Sequence, residues 1–131
     1  MKIGSCAIVN RTVARAENLA AEFEAEVVWR AMADADLERF DIIVNTTPVG
    51  SALAPSAEFV DLKRIHSGQT VLDVVTGDTE LLETSRRVGA TTIPGLRMLL
   101  RQAVRQFELY TEKEAPQKVM ERALYEAVAS G

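Results

Sequence analysis

Asn10, Arg11, Thr12 and Arg15 are the residues whose types and spacing point most directly to chemistry. Two guanidinium groups stand four positions apart, beside two small polar side chains. They lie where the apolar run Ala7-Ile8-Val9 gives way to a helical stripe of Ala16, Leu19, Ala20 and Phe23. Thr12 is placed to cap that helix. The pattern predicts strand, three-residue turn, helix. In a nucleotide-binding α/β sheet the end of the second strand faces the adenosine ribose, and an acid there accepts hydrogen bonds from the 2′-hydroxyl and favours NAD. This chain has arginines instead. Two guanidinium groups at a helix N-terminus suit a dianionic phosphate, so the stretch reads as a 2′-phosphate site and hence as a site for NADP. Arg11 and Arg15 read equally well as ordinary solvated helix charges, and the local pattern leaves both readings open.

Composition excludes several other chemistries. His66 is the only histidine and Cys6 the only thiol, so no metal-ligand cluster is expected. Cys6 falls in the first strand pattern, where a small buried thiol is expected rather than a nucleophile, and His66 reads as a surface residue. A single cysteine makes no internal disulfide, which points to a reducing compartment, the cytoplasm. A net charge of −4 argues against general nucleic-acid affinity. No apolar run approaches the roughly 20 residues that span a bilayer, and Met1 opens no signal-peptide pattern. A length of 131 residues with 47% hydrophobic content suits one domain, taken as residues 1–131.

The elements that must position the arginines follow from periodicity and punctuation. Strands are expected over 5–9, 26–29, 41–45, 70–75 and 90–93. Helices are expected over 13–24, 31–39, 79–88, 96–111 and 117–129, with a helical turn near 61–65. Gly89 reads as the stop of the 79–88 helix, and Pro116 stands at or just before the first position of the last one. Strands alternating with helices predict an α/β fold with a mostly parallel sheet of about five strands flanked by helices. Ligands bind such sheets beyond the carboxyl ends of the strands. Four loops lie there: 10–12, 45–50, 76–79 and 94–96.

Read together, those loops resemble the C-terminal, NADP-binding half of the shikimate dehydrogenase family. The first resembles its Asn-Arg-Thr-x-x-Arg-Ala motif, at Asn10, Arg11, Thr12, Arg15 and Ala16. The second resembles Asn-Ala-Thr-Pro-x-Gly, at Asn45, Thr47, Pro48 and Gly50, with Thr46 in the alanine position. Asp73-Val74-Val75 resembles the family's Asp-x-Val-Tyr segment. Gly95, Leu96, Met98, Leu99, Gln102 and Ala103 match Gly-Leu-x-Met-Leu-x-x-Gln-Ala. The resemblance implies that Asn10, Arg11, Thr12 and Arg15 hold the 2′-phosphate. It also implies that Asn45, Thr47, Pro48, Gly50 and Val75 line the cofactor cleft, that Gly95 and Met98 sit against the nicotinamide, and that Gln102 faces a shikimate-like substrate.

The departures from the family pattern shape the expectation as much. No Gly-x-Gly-x-x-Gly run occurs, and the strand that precedes it in the family is absent, so the domain reads as a truncated Rossmann-like unit. The substrate domain with the catalytic lysine and aspartate is absent as well, and no catalytic residue is assigned. Thr76 replaces the family tyrosine, and Arg97 replaces the second glycine of Gly-Leu-Gly-Met-Leu. In the usual strand order 3-2-1-4-5-6 the missing strand is central. An unfilled gap would cost about 1–3 kcal/mol per buried unpaired backbone group. Either the sheet closes into five strands, or a partner chain supplies the strand, by assembly of copies or by swapping. The resemblance therefore implies an NADP-binding part of an oxidoreductase interconverting 3-dehydroshikimate and shikimate, inactive alone and completed by a missing segment or a partner. The alternatives are a non-catalytic ligand-binding or protein-interaction module, and a gene fragment without retained activity.

Overall fold

The computed structural model of the chain describes residues 5–23, 35–54 and 60–129. Its sheet grows from three short runs rich in β-branched residues, too short for helices. They are β1 (Ile42–Asn45), β2 (Thr70–Asp73) and β3 (Thr91–Pro94). All pair in parallel in the order β1-β2-β3. Ile42 lies opposite Thr70 and Asn45 opposite Asp73, while Thr70 lies opposite Thr91 and Asp73 opposite Pro94. The register therefore aligns Asn45, Asp73 and Pro94 in one row across the carboxyl ends.

Among the described residues four helices accompany the sheet: α1 (Val13–Phe23), α2 (Glu80–Arg87), α3 (Gly95–Thr111) and α4 (Gln117–Ala129). Residues Leu37–Arg39 and Leu62–Arg64 form single 3-10 turns. α2 begins where the Thr79 hydroxyl accepts a hydrogen bond from the Leu82 N–H at 3.3 Å. Glu80 and Glu83 lie in its first turn and Arg86 and Arg87 in its last, matching the helix dipole. Its apolar face sends Leu81 into a core with Ala35, Leu37, Ile65, Val71 and Ala90, against which Val9, Ile43, Val60 and Leu62 pack. Leu82 is fully buried, a burial that contributes about 1.5–3 kcal/mol. α4 buries no residue completely and rests on α3.

One sheet face is covered by this core, and strand alternation sends the neighbouring side chains to the other. Ile42 and Val44 project there and remain 56% and 53% exposed. Among the described residues no helix is long and apolar enough to cross a membrane.

Several expectations are corrected. The described sheet has three strands, not about five. Residues 5–9 do not join it: Ala7 makes only an isolated bridge, and Val9 contributes by packing. Among the described residues β1 is the edge of the sheet, and residues 5–9 do not pair with it. Cys6, expected to be buried in a strand, is exposed because its segment stays outside the sheet. The helix expected over 31–39 is, in its described part, the 3-10 turn at Leu37–Arg39. The strand expected over 26–29 lies outside the described residues. β2 stops at Asp73 rather than at Val75, because the Asp73 carboxylate catches the Val75 N–H at 3.1 Å and bends the chain.

Candidate functional site

Three of the four loops at the carboxyl ends of the strands are tied into one unit. Asn45 and Asp73, aligned by the register, each end their own strand in the same way. The Asn45 side-chain oxygen accepts from the Thr47 N–H at 2.9 Å and from the Thr47 hydroxyl at 2.7 Å. Asn45 Nδ2 then donates to Asp73 Oδ1 at 3.0 Å. Thr79 donates its hydroxyl to Asp73 Oδ2 at 2.6 Å. The Thr47 hydroxyl also accepts from the Val49 N–H at 3.3 Å. Asn45, Asp73 and Thr79 are all buried, so the bonds among these three are made where water offers no ready replacement. Sequence reasoning treated Asp73 only as a point of family likeness and gave Thr79 no role beyond the start of a helix. The available signal was a polar residue ending each of two apolar runs, and its meaning depends on their register.

Hard contacts join the same loops. Gly50 has a φ of +90°, and a Cβ there would lie 2.9 Å from Thr79 Cγ2. Gly95 opens α3 pressed against the end of β2, where a Cβ would lie 2.4 Å from the Val74 carbonyl oxygen and 2.5 Å from that of Val75. Real Cβ atoms essentially never approach closer than 3.0 Å. Both glycines, expected to line a cofactor cleft, are thus already required by the chain's own packing. On α3, Met98 and Gln102 follow Gly95 at three- and four-residue steps and so share its face. Met98 is half-buried, while Gln102 and Arg97 are exposed. Val75 and Thr47 are half-buried and Pro48 is exposed at the rim. Pro94 provides no side-chain cap for α3.

The fourth loop is built separately. Asn10 turns the chain into α1 by accepting the Thr12 N–H on its side-chain oxygen at 2.8 Å. The residue that tightens this entry is therefore Asn10, and Thr12 contributes its carbonyl to the Arg15 N–H at 3.0 Å. Asn10, Arg11, Thr12 and Arg15 are all exposed. Among the described residues neither arginine takes part in an ion pair. The first turn of α1 contains no acid, so two cations sit at the positive end of a helix without local compensation. That placement costs stability by about 0.3–1 kcal/mol per charge and fits a multiply charged anion. Among the described residues no hydrogen bond links this loop to the other three. Ala16 and Ala20, buried on the inner side of α1, and Val9 hold it by apolar packing.

Comparison with known proteins follows the same outline. Residues 95–125 match the family described as "Shikimate 5'-dehydrogenase C-terminal domain". A shikimate dehydrogenase (NADP(+)) of Methanopyrus kandleri is 37% identical over 132 residues, covering 91% of this chain and 45% of that protein. Shikimate dehydrogenase of Aquifex aeolicus superposes with a TM-score of 0.82 at 32% identity, over 92% of this chain and 44% of the other. The Thermus thermophilus enzyme, crystallised with NADP(H) and shikimate, gives a TM-score of 0.77 at 29% identity, over 92% of this chain and 45% of the other. The chain thus spans a little under half the length of the relatives it matches. By sequence and by fold, it is homologous to the C-terminal region of the shikimate dehydrogenases.

Proposed function

We propose that the chain is the NADP-recognising part of a shikimate dehydrogenase-type oxidoreductase. The observation that carries this reading is the pair Arg11 and Arg15, exposed at the start of α1, with no ion pair among the described residues and no acid in the first turn of the helix. Arg11 and Arg15 hold the 2′-phosphate, with Asn10 and Thr12 shaping the turn. Asn45, Thr47, Pro48, Gly50 and Val75 form one wall of the cleft, and Gly95 and Met98 form the nicotinamide end. Gln102 offers its amide to a hydroxyl-rich, shikimate-like substrate. The cofactor supplies or accepts the hydride. The proton-transferring lysine and aspartate come from a companion chain or segment, so the chain alone turns over no shikimate.

The test is calorimetric titration of the chain with NADP and with NAD, repeated on Arg11→Ala. Expected is binding of NADP in preference to NAD, with at least a tenfold loss in the variant, since a charge-assisted pair contributes about 1.5–3 kcal/mol. Equal affinity for the two cofactors, or no effect of the substitution, would refute the phosphate assignment. A second reading, a non-catalytic interaction module, draws on the exposure of Ile42 and Val44 on the edge strand. It requires strand-mediated assembly, and a single monomeric species in sedimentation at high concentration rules that out.

A further inference from the structure

The buried network at the strand ends does more than terminate two strands. We propose that Asp73 and Thr79 are positioning residues, which through a single hydroxyl set the placement of Thr47 and Val75 at the mouth of the cleft. Its functional side rests on the NADP reading above.

The Asp73 carboxyl group accepts three hydrogen bonds from three different directions. Asn45 Nδ2 and the Val75 N–H reach Oδ1 at 3.0 and 3.1 Å, and the Thr79 hydroxyl reaches Oδ2 at 2.6 Å. Asn45 is itself the acceptor for the Thr47 N–H and hydroxyl. The chain of bonds therefore runs from Thr79 through Asp73 and Asn45 to Thr47, across residues far apart in sequence. Among the described residues Thr79 is the only donor to Oδ2, and it also accepts from the Leu82 N–H. Its methyl group faces Gly50. One threonine thus caps α2, anchors the Asp73 carboxyl group and abuts the turn that ends the 45–50 loop. Gly95, pressed on the Val74 and Val75 carbonyls, passes the same placement on to the start of α3. Asn45, Asp73 and Thr79 are buried, so a partner lost among these three is not readily replaced by water. Removing the hydroxyl leaves Oδ2 without its donor. Asp73 is then held only through Oδ1, and its bonds to Asn45 and Val75 open more readily.

Two variants separate this role from plain helix capping. Thr79→Val keeps the shape and removes the hydroxyl, whereas Thr79→Ser keeps the hydroxyl and removes the methyl group. Amide hydrogen exchange of the whole chain reads the result without any ligand, with the amide of Val71 in the core strand as the reference for global opening. Expected in Thr79→Val is exchange at Thr47 and Val75 accelerated about tenfold beyond any change at Val71, with wild-type rates restored in Thr79→Ser. Acceleration confined to Leu82 and its helical turn overturns the proposal, as does a uniform change at every amide including Val71. NADP titration adds the functional arm: Thr79→Val is expected to bind about tenfold more weakly than wild type, and Thr79→Ser within threefold of it. Full affinity in Thr79→Val, while Arg11→Ala loses it, overturns the positioning role. If wild type itself fails to bind NADP, the cofactor reading falls, and the exchange pattern alone decides whether Thr79 sets the placement of Thr47 and Val75.

Discussion

Replacing Gly95 by alanine tests whether the glycine at the start of α3 serves a ligand or the chain itself. The added methyl group would lie 2.4 Å from the Val74 oxygen and 2.5 Å from the Val75 oxygen. To reach even 3.0 Å, the Val74 carbonyl must retreat by 3.0 − 2.4 = 0.6 Å. It has little room to do so. The Val74 N–H donates to the Asn45 carbonyl at 3.0 Å and the Val75 N–H donates to Asp73, so the peptide between them is held at both ends. Forcing a methyl group into such packing costs about 1–3 kcal/mol. The helix-propensity gain of alanine, about 1 kcal/mol in a helix interior, is smaller at a first helical position. For a chain of this size each kcal/mol moves the melting midpoint by about 4 °C, so the midpoint should fall by about 4–12 °C. Gly77 supplies the control, since a Cβ there meets nothing within 4 Å, and Gly77→Ala should stay within about 2 °C of wild type. Thermal unfolding followed by circular dichroism, with no ligand present, makes the comparison. If Gly95→Ala melts together with wild type, the steric reasoning is wrong, and the glycine must then be explained by what approaches it from outside the chain.

Other substitutions probe the rest of the framework. Gly50→Ala should lose about 1–3 kcal/mol, because φ is +90° and Thr79 Cγ2 blocks the methyl group at 2.9 Å, read as a lower urea midpoint. Gln69 is buried, donates to the Leu37 and Phe40 carbonyls at 2.6 and 2.9 Å and accepts from the His66 N–H at 2.9 Å. Gln69→Leu should therefore cost at least about 2 kcal/mol in urea unfolding with an unchanged slope; a neutral result would mean that these backbone groups find water. Arg86→Ala breaks an exposed pair with Asp78 and should change stability by less than about 1 kcal/mol.

What was legible in the sequence was whatever is decided locally. The α4 span of 117–129 follows from Pro116, and the Gly89 stop of α2 from residue type. The three sheet strands were each found within two residues of their ends, because β-branched runs between polar residues admit few other structures. What local pattern did not decide was pairing. Residues 5–9 have the composition of a strand, but a strand exists only where a neighbour accepts its backbone groups, and composition does not name the neighbour. The polar network was missed for the same reason. Asn45 and Asp73 are 28 residues apart, and only the β1–β2 register makes them partners.

Two kinds of force therefore hold the candidate site. The 45–50, 73–79 and 94–98 stretches are joined by directional bonds and by contacts that leave no room for a methyl group, so small displacements between them are resisted. The start of α1 is held by Val9, Ala16 and Ala20, whose apolar packing is non-directional and changes little in energy with small sliding. The two halves should respond differently to mutation. Losing Thr79 or Gly95 should disturb the folded framework before any ligand arrives. Losing Arg11 removes an exposed charge from an already uncompensated helix end, so it should leave stability unchanged or slightly raised while abolishing the preference for a 2′-phosphate. A variant pair that reversed this order, with Arg11→Ala unfolding the chain and Thr79→Val leaving it intact, would mean that the arginine is structural and that the 2′-phosphate site has been assigned to the wrong end of the fold.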